Sequence, residues 1–295
     1  MSDAAGNAGS RVLLVADWSR DEIAEVRDCV SATVEAHADE VVREDAEHPG
    51  NGRTAAPPTG RFDLAVVIGG DGTIIGQLRR MAATGIPVAG VNVGRLGFLA
   101  EFDAERFAAE FPAMLAGRAD VQDTRLLQWT LRPADGSDPR TGIAVNDVSI
   151  ASGAPFRMIE LGLVIDEQPG PTLAGDGLIV ASPTGSTAYS TSAGGPIVHP
   201  AVEAMLITPV AAQSLAFRPI VIAAGSVIRV DVLRANPGTA LVRDGAVREH
   251  LAVGDAVEIR FDATAARLIV DPDKSYWQIL QDKLQWAAPP RYRRP

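Results

Sequence analysis

A strand-like apolar run that stops on Gly-Gly-Asp-Gly-Thr constrains this chain more than any other feature. Phe62-Asp63-Leu64-Ala65-Val66-Val67 leads into Ile68-Gly69-Gly70-Asp71-Gly72-Thr73, and helix-like spacing follows from Thr73 to Ala83. Strand, glycine turn and helix in that order form one unit of an α/β domain. Three glycines in four positions admit positive φ angles and close approach to a ligand, while a helix opening near Thr73 aims N–H groups at an anion. Gly69, Gly70, Gly72 and Thr73 are therefore a candidate phosphate-binding turn. Asp71 is the odd member, because a carboxylate repels phosphate. Beside a bound phosphate it serves as a general base on an attacking hydroxyl, or as an anchor for that hydroxyl or for a metal ion. Phosphoryl transfer to an alcohol is the chemistry this combination points to. The same residues also make an ordinary tight turn, and the turn alone does not decide.

With 295 residues the chain is long enough for two domains. Its 46% hydrophobic and 22% charged content is that of a soluble globular protein, and no run approaches the ~20 apolar residues of a membrane span. Met1 to Ser10 has no apolar signal core, so cytoplasmic residence is expected. The single cysteine, Cys29, excludes an intrachain disulfide and is expected to be a buried helix residue. Histidines 37, 48, 199 and 250 lack ligand spacing, so no metal-ligating set is assigned. A net charge of -10 argues against general nucleic-acid binding. Lysine occurs only at 274 and 283, which excludes a P-loop and leaves phosphate to backbone N–H groups, arginines and a metal ion.

Arg11–Ala16 reads as a buried strand, Asp21–Ala36 as a helix, Glu44–Arg61 as a mobile surface loop, Ile86–Val91 as a strand and Ala104–Ala116 as a helix. That alternation predicts a Rossmann-like parallel sheet covered by helices, with ligands at the carboxyl ends of its strands. Strand-length runs then recur without long helices between them, at Leu126–Arg132, Ile143–Ile150, Arg157–Ile165, Ile220–Ala224, Val227–Leu233, Ala256–Phe261 and Ala265–Asp271. Asn236-Pro237-Gly238 and Asp244-Gly245 mark turns. The expected architecture is an α/β domain over 1–124, joined by the tail 275–295, and a mostly β, sandwich-like domain over 125–274. Ser275–Trp286 is expected to be a helix that returns to the first domain.

A second informative run, Gly175 to Pro196, contains Gly-Asp-Gly-Leu-Ile-Val-Ala-Ser-Pro-Thr-Gly-Ser-Thr-Ala-Tyr-Ser-Thr-Ser. A short strand followed by dense hydroxyls and one tyrosine suits a surface that hydrogen-bonds a polar ligand. Asn146 and Asp147 sit together in an apolar strand, either as a strand-end cap or as readers of a ribose. Arg157, by sequence alone, also fits a solvated strand arginine.

Together GGDGT at 69–73, VNVGRLGFL at 91–99, NDV at 146–148 and GDGLIVASPTGSTAYSTSAGGPI at 175–197 resemble the NAD kinase family, over residues 11–285. The last motif is the specific one, since GGDG turns also occur in lipid kinases and 6-phosphofructokinases. The resemblance implies transfer of the γ-phosphoryl group of ATP, with a divalent cation such as Mg²⁺, to the 2'-hydroxyl of the adenosine ribose of NAD, giving NADP. It makes Asp71 the catalytic residue, next to Gly72 on the NAD side. It makes Asn146 and Asp147 ribose and adenine contacts, and Arg157 a basic NAD contact. Thr187, Ala188, Tyr189, Ser190, Thr191 and Ser192 would line the dinucleotide. Asp176 would reach a neighbouring subunit's site, which implies a homodimer or homotetramer. Inorganic polyphosphate as donor is left open, and neither nucleic acid nor membrane is an expected partner. Two positions depart from the family pattern: Gln213, where a histidine is common, and Gly76, where a basic residue is common. A GGDG-type kinase of a lipid or sugar hydroxyl and a non-catalytic dinucleotide sensor are the alternative readings.

Overall fold

The computed structural model describes residues 9–46, 56–94 and 97–287. Half of the loop expected over 44–61 (residues 47–55, His48 among them), and Arg95 and Leu96 of the 91–99 motif, lie outside the described residues. The chain divides into two compact units, one of residues up to Asp123 and from Arg267 on, the other Thr124–Ala266.

In the first unit β1 (Arg11–Ala16), α1 (Ala24–His37), β2 (Glu40–Asp45), β3 (Leu64–Ile68), α2 (Asp71–Met81), β4 (Val88–Val91) and α3 (Ala104–Leu115) follow one another. The strands lie in the order β2-β1-β3-β4, all parallel. Leu268 and Ile269, ending the chain's last strand, extend the sheet in parallel beside β4. β1 and β3 are apolar at successive positions rather than alternate ones, as strands covered on both faces must be. Val12, Leu14, Leu64, Val66 and Ile68 share one core with Phe107 and Phe111 of α3, whose ring centroids are 5.1 Å apart. The strand order reverses between β1 and β3, and the glycine run leaves the carboxyl end of β3, the position where open α/β sheets place ligands.

Three expectations change in this unit. Glu44 and Asp45, assigned to a loop, end the strand β2. Cys29 lies on α1 but is exposed, because Val30 and Val34 define the buried stripe and Cys29 is one step off it. The helix after the glycines opens at Asp71, two residues before Thr73, with Gly70 as its N-cap.

The second unit comprises β5 (Val121–Arg132), β6 (Arg140–Ala144), β7 (Asp147–Ala151), β8 (Ile159–Ile165), β9 (Gln168–Gly175), β10 (Gly177–Ala181), the short helix α4 (Tyr189–Ser192), β11 (Ala204–Val210), β12 (Ile220–Ala223), β13 (Ile228–Arg234), β14 (Ala240–Arg243), β15 (Ala246–His250) and most of β16 (Ala256–Ile269). One sheet runs β12-β11-β10-β7-β14-β15, antiparallel throughout. The other joins β9, β8, β13 and β16 antiparallel, with β5 pairing β16 and β6. Leu127, Trp129, Ile150, Leu161, Val180, Ile207, Val230 and Leu241 from both sheets share a core. This is the mostly antiparallel, sandwich-like β domain. α5 (Tyr276–Leu284), opened by a Ser275–Gln278 capping box, belongs to the first unit.

The run expected as one strand over 143–150 is two, because the chain crosses from one sheet to the other at Val145–Asn146. Conversely, the two closing strands are one, continuing through the polar residues Asp262–Thr264. β9 escapes sequence detection because it carries two prolines, which an edge strand tolerates. Among the described residues no helix is long and apolar enough to cross a membrane.

Phe107 is fully buried and packs at a tilt against Phe111. Phe107→Ala is expected to cost about 3–5 kcal/mol, read as a lowered urea midpoint for unfolding of the first unit. An unshifted midpoint would place this ring outside the core.

Candidate active site

Asp71 occupies the first turn of α2, where helix N–H groups lack intrahelical partners. Its carboxylate is held by backbone. Phe98 N–H donates to Oδ2 at 2.8 Å, and Leu99 and Ala100 N–H donate to Oδ1 at 3.1 Å each. A carboxylate offers about four lone-pair positions, so among the described residues these bonds fill Oδ1 and leave Oδ2 one position for a further donor. The close approach depends on Gly97, since a Cβ there would lie 1.8 Å from Asp71 Oδ1. This explains the second glycine of the 91–99 motif. The glycines of the candidate turn work differently from expectation: none of Gly69, Gly70 and Gly72 has positive φ. Gly69 instead makes room for Thr73, whose Oγ1 would be 2.8 Å from an added Cβ, and Gly70 N-caps the helix in extended conformation. The Gly76 departure leaves space that Arg79 enters, its guanidinium 3.9 Å from where a side chain would begin.

In the second unit the corner at Asn146 and the hydroxyl run come together. Asn146 C=O accepts Ser182 N–H at 2.9 Å, and Ser182 Oγ donates to Val145 C=O at 2.6 Å while accepting Gly185 N–H at 3.1 Å. Gly185 packs on this backbone so closely that a Cβ would meet Asn146 O at 2.0 Å. The hydroxyls divide into two groups. Ser182, Ser186 and Ser190 are fully buried. Ser186 Oγ bonds Val198 C=O and N–H at 3.0 Å each, and Ser190 Oγ bonds Thr208 Oγ1 at 2.9 Å. Thr187, Ala188 and Thr191 are half-buried, Tyr189 and Ser192 exposed. Thr187 and Thr191 hydroxyls donate to Thr184 and Ser186 carbonyls.

Asn146 and Asp147 do not sit mid-strand but at the crossing between sheets, which Asp244 organises. Its Oδ2 accepts Val145 N–H at 3.2 Å, and its Oδ1 accepts the N–H groups of Asn146 and Asp147 at 2.7 and 3.2 Å. Asp244 and Gly245 both have positive φ, the geometry of a two-residue hairpin turn. Sequence reasoning found the turn but not the clamp. Arg157 precedes β8 rather than lying in it, with an exposed side chain and its carbonyl accepting Asn236 Nδ2 at 2.7 Å. Asp176 is exposed between β9 and β10, flanked by Gly175 and Gly177, whose missing side chains let the backbone press on Val210 O and Ile150 O. Gln213 is exposed, its N–H donating to Ala174 C=O.

Two buried acids stand beside the clamped carboxylates. Burial, and then the charge of Asp244, push Asp147 up to about 7. Burial likewise raises Glu101 to about 7, assisted by Asp271 and Asp71 and opposed by the Asp271 N–H bond and Lys274. Glu101 gave no sequence signal, because one acid after an apolar stretch reads as a surface residue.

Asp147 is raised above its unfolded value, so the folded state binds a proton that the unfolded chain releases. The resulting penalty develops as pH rises from about 4 and is complete above about 7. Asp147→Asn is expected to raise the thermal midpoint at pH 8 relative to the parent and to leave the two alike near pH 4. Equal shifts at both pH values would show that burial does not perturb this acid.

Known proteins resemble the chain over both units. Residues 28–119 match the ATP-NAD kinase N-terminal domain model and residues 145–270 the ATP-NAD kinase C-terminal domain model. The NAD kinase of Heliobacterium modesticaldum is 39% identical over 225 residues, 76% of this chain and 79% of that protein. That of Desulforamulus reducens is 35% identical over 277 residues, 92% and 96% respectively. Among solved structures, yeast NADH kinase complexed with NADH superposes with a TM-score of 0.85 at 24% identity, over 98% of this chain and 91% of that one. An Archaeoglobus fulgidus NAD kinase in complex with ATP superposes at 0.66 and 24% identity, over 89% and 94%. The two structures establish a shared fold. With both domain models matched and curated relatives above 30% identity spanning most of its length, the chain belongs to the NAD kinase family.

Proposed function

We propose that the protein transfers the γ-phosphoryl group of ATP to the 2'-hydroxyl of the adenosine ribose of NAD, forming NADP and ADP. The observation that carries this reading is the Asp71 carboxylate, fixed by three backbone N–H groups, with one position on Oδ2 that no described residue fills. That position accepts the ribose hydroxyl, aligns its oxygen on the γ-phosphorus and takes the proton as the new P–O bond forms and the bond to the β-phosphate oxygen breaks. The first-turn N–H groups of α2, with Thr73, would face the donor phosphates. Asn146, Asp147 and the exposed part of Thr187–Ser192 would hold the dinucleotide, with Arg157 as its basic contact.

Among the described residues no group of three or more His, Cys, Asp or Glu side chains is placed to hold a metal ion. A divalent cation would arrive on the phosphates of ATP, as Mg²⁺ commonly does. It would offset the charge that the phosphates bring to a chain already at -10. A homodimer or homotetramer belongs to the same reading, in which the exposed Asp176 would reach a neighbouring subunit's site. Cytoplasmic residence belongs to the same proposal. No observation favours the lipid- or sugar-hydroxyl kinase or the non-catalytic sensor.

Purified protein supplied with NAD, ATP and Mg²⁺ is expected to form NADP in a coupled assay, with GTP, polyphosphate and NADH tested in parallel to define donor and acceptor. Asp71→Asn should retain NAD binding while kcat falls on the order of 10²-fold or more. Gly97→Ala should do the same by displacing the carboxylate with its new methyl group. Normal turnover in Asp71→Asn would remove this residue from the chemistry, and normal turnover in Gly97→Ala would show that its placement is not critical.

A further inference from the structure

The three N–H groups that hold Asp71 come from a loop, and a loop keeps its geometry only as well as its ends are held. Residue 101 follows the last of these donors directly. Glu101 is only 9% exposed, and its Oε2 accepts Asp271 N–H at 2.8 Å. Asp271, 4% exposed, is itself fixed by Arg106 of α3, whose Nε and one Nη reach its Oδ1 at 3.1 and 2.9 Å. Immediately beyond Glu101, Phe102 exchanges backbone bonds with Gly90 and Asn92. A continuous series of bonds thus leads from Asp71 through residues 98–100 to Glu101, Asp271 and Arg106, all within the first unit.

We propose that Glu101 is a positioning residue for Asp71, locking the 97–100 segment to the chain end that leads into α5. This rests on the phosphoryl-transfer reading, since it deepens the role of the same carboxylate. A buried carboxyl that faces other acids is costly, and a neutral side chain of similar shape would avoid the cost. What the segment needs from this position is an oxygen acceptor at the length of a glutamate or glutamine side chain, which reaches Asp271 N–H. The groups facing Glu101 are Asp71 from α2 and Asp271 and Lys274 from the segment before α5. Across a cavity of about 480 Å³ stand Asp282 and Lys283 of α5, and the two lysines that line it are the only lysines of the chain. With its carboxyl raised to about 7, Glu101 changes charge near neutrality beside Asp71.

The test separates the bond from the charge. Glu101→Gln keeps an acceptor oxygen, so turnover should stay within about 3-fold of the parent while the inflection near pH 7 in the kcat profile disappears. Glu101→Ala removes the lock, and a catalytic group displaced by about 1 Å can lose on the order of 10²-fold in rate. Its kcat should fall accordingly with KM for NAD and ATP little changed, and hydrogen exchange at the Phe98, Leu99 and Ala100 amides should accelerate. Glu101→Asp, one methylene too short, should accelerate the same amides and serves where the alanine variant does not fold. Unchanged exchange and turnover in Glu101→Ala and Glu101→Asp would overturn the proposal, as would equal losses in Glu101→Gln and Glu101→Ala. Absence of NADP formation by the parent protein would strike the functional reading instead, leaving the exchange measurement to judge the lock.

Discussion

The capture of Asp71 by three successive backbone N–H groups is the interaction on which the rest of the site depends. Hydrogen bonds to a charged acceptor contribute about 1.5–3 kcal/mol each, and main-chain donors cannot rotate away as a side-chain donor can. The carboxylate is consequently referenced to two pieces of backbone at once, the start of α2 and the 97–100 loop. Phosphoryl transfer draws most of its acceleration from positioning and charge complementarity. In the proposed role of orienting the ribose hydroxyl, a carboxylate fixed this way would not have to be ordered by the substrate.

The second unit repeats the device with a different purpose. Asp244 accepts the N–H groups of Val145, Asn146 and Asp147, again three in succession, and so shapes the crossing between its two sheets. Ser182 then bonds that corner, and Gly185 packs against it without room for a methyl group. The hydroxyl-rich run is therefore part scaffold and part surface. Its buried Ser182 and Ser186 bond main-chain carbonyl and N–H groups, and its buried Ser190 bonds the Thr208 hydroxyl, as buried polar groups of a loop folded onto a sheet must be paired. Tyr189 and Ser192 are left facing outward by the same arrangement.

The periodicity of apolar residues made the two-part architecture legible, because β1 and β3 have continuous apolar runs whereas β8 and β13 alternate. Asp71 was legible for a chemical reason, as the one acid in a glycine turn. Other features were not, and the reasons are physical. Residues 98–100 act through main-chain N–H groups, to which side-chain identity is blind. Gly97 is explained by a contact with a residue 26 positions earlier in sequence, and Glu101 by one 170 positions later. Asp244 resembles any hairpin aspartate until its partners are seen. Gln168–Gly175 hides as a strand because its prolines are acceptable only at a sheet edge, a fact about neighbours rather than about the segment.

Each unit pairs a backbone-clamped carboxylate with a buried acid raised to about 7: Asp71 with Glu101, and Asp244 with Asp147. Burial is the leading cause in both, and the clamped neighbour's charge adds to it. Such acids lower stability above neutrality, so a fold selected for stability alone would have replaced them with amides. Groups this perturbed concentrate where ligands are handled. An acid that accepts a proton readily near neutrality carries less negative charge when a polyphosphate approaches, and the approaching anion would raise its proton affinity further. Under the proposed function this would ease the approach of phosphates to a chain whose only lysines are Lys274 and Lys283. Backbone N–H groups hold Asp71 and Asp244 in place, and protonation near neutrality relieves the charge of the buried Glu101 and Asp147 beside them.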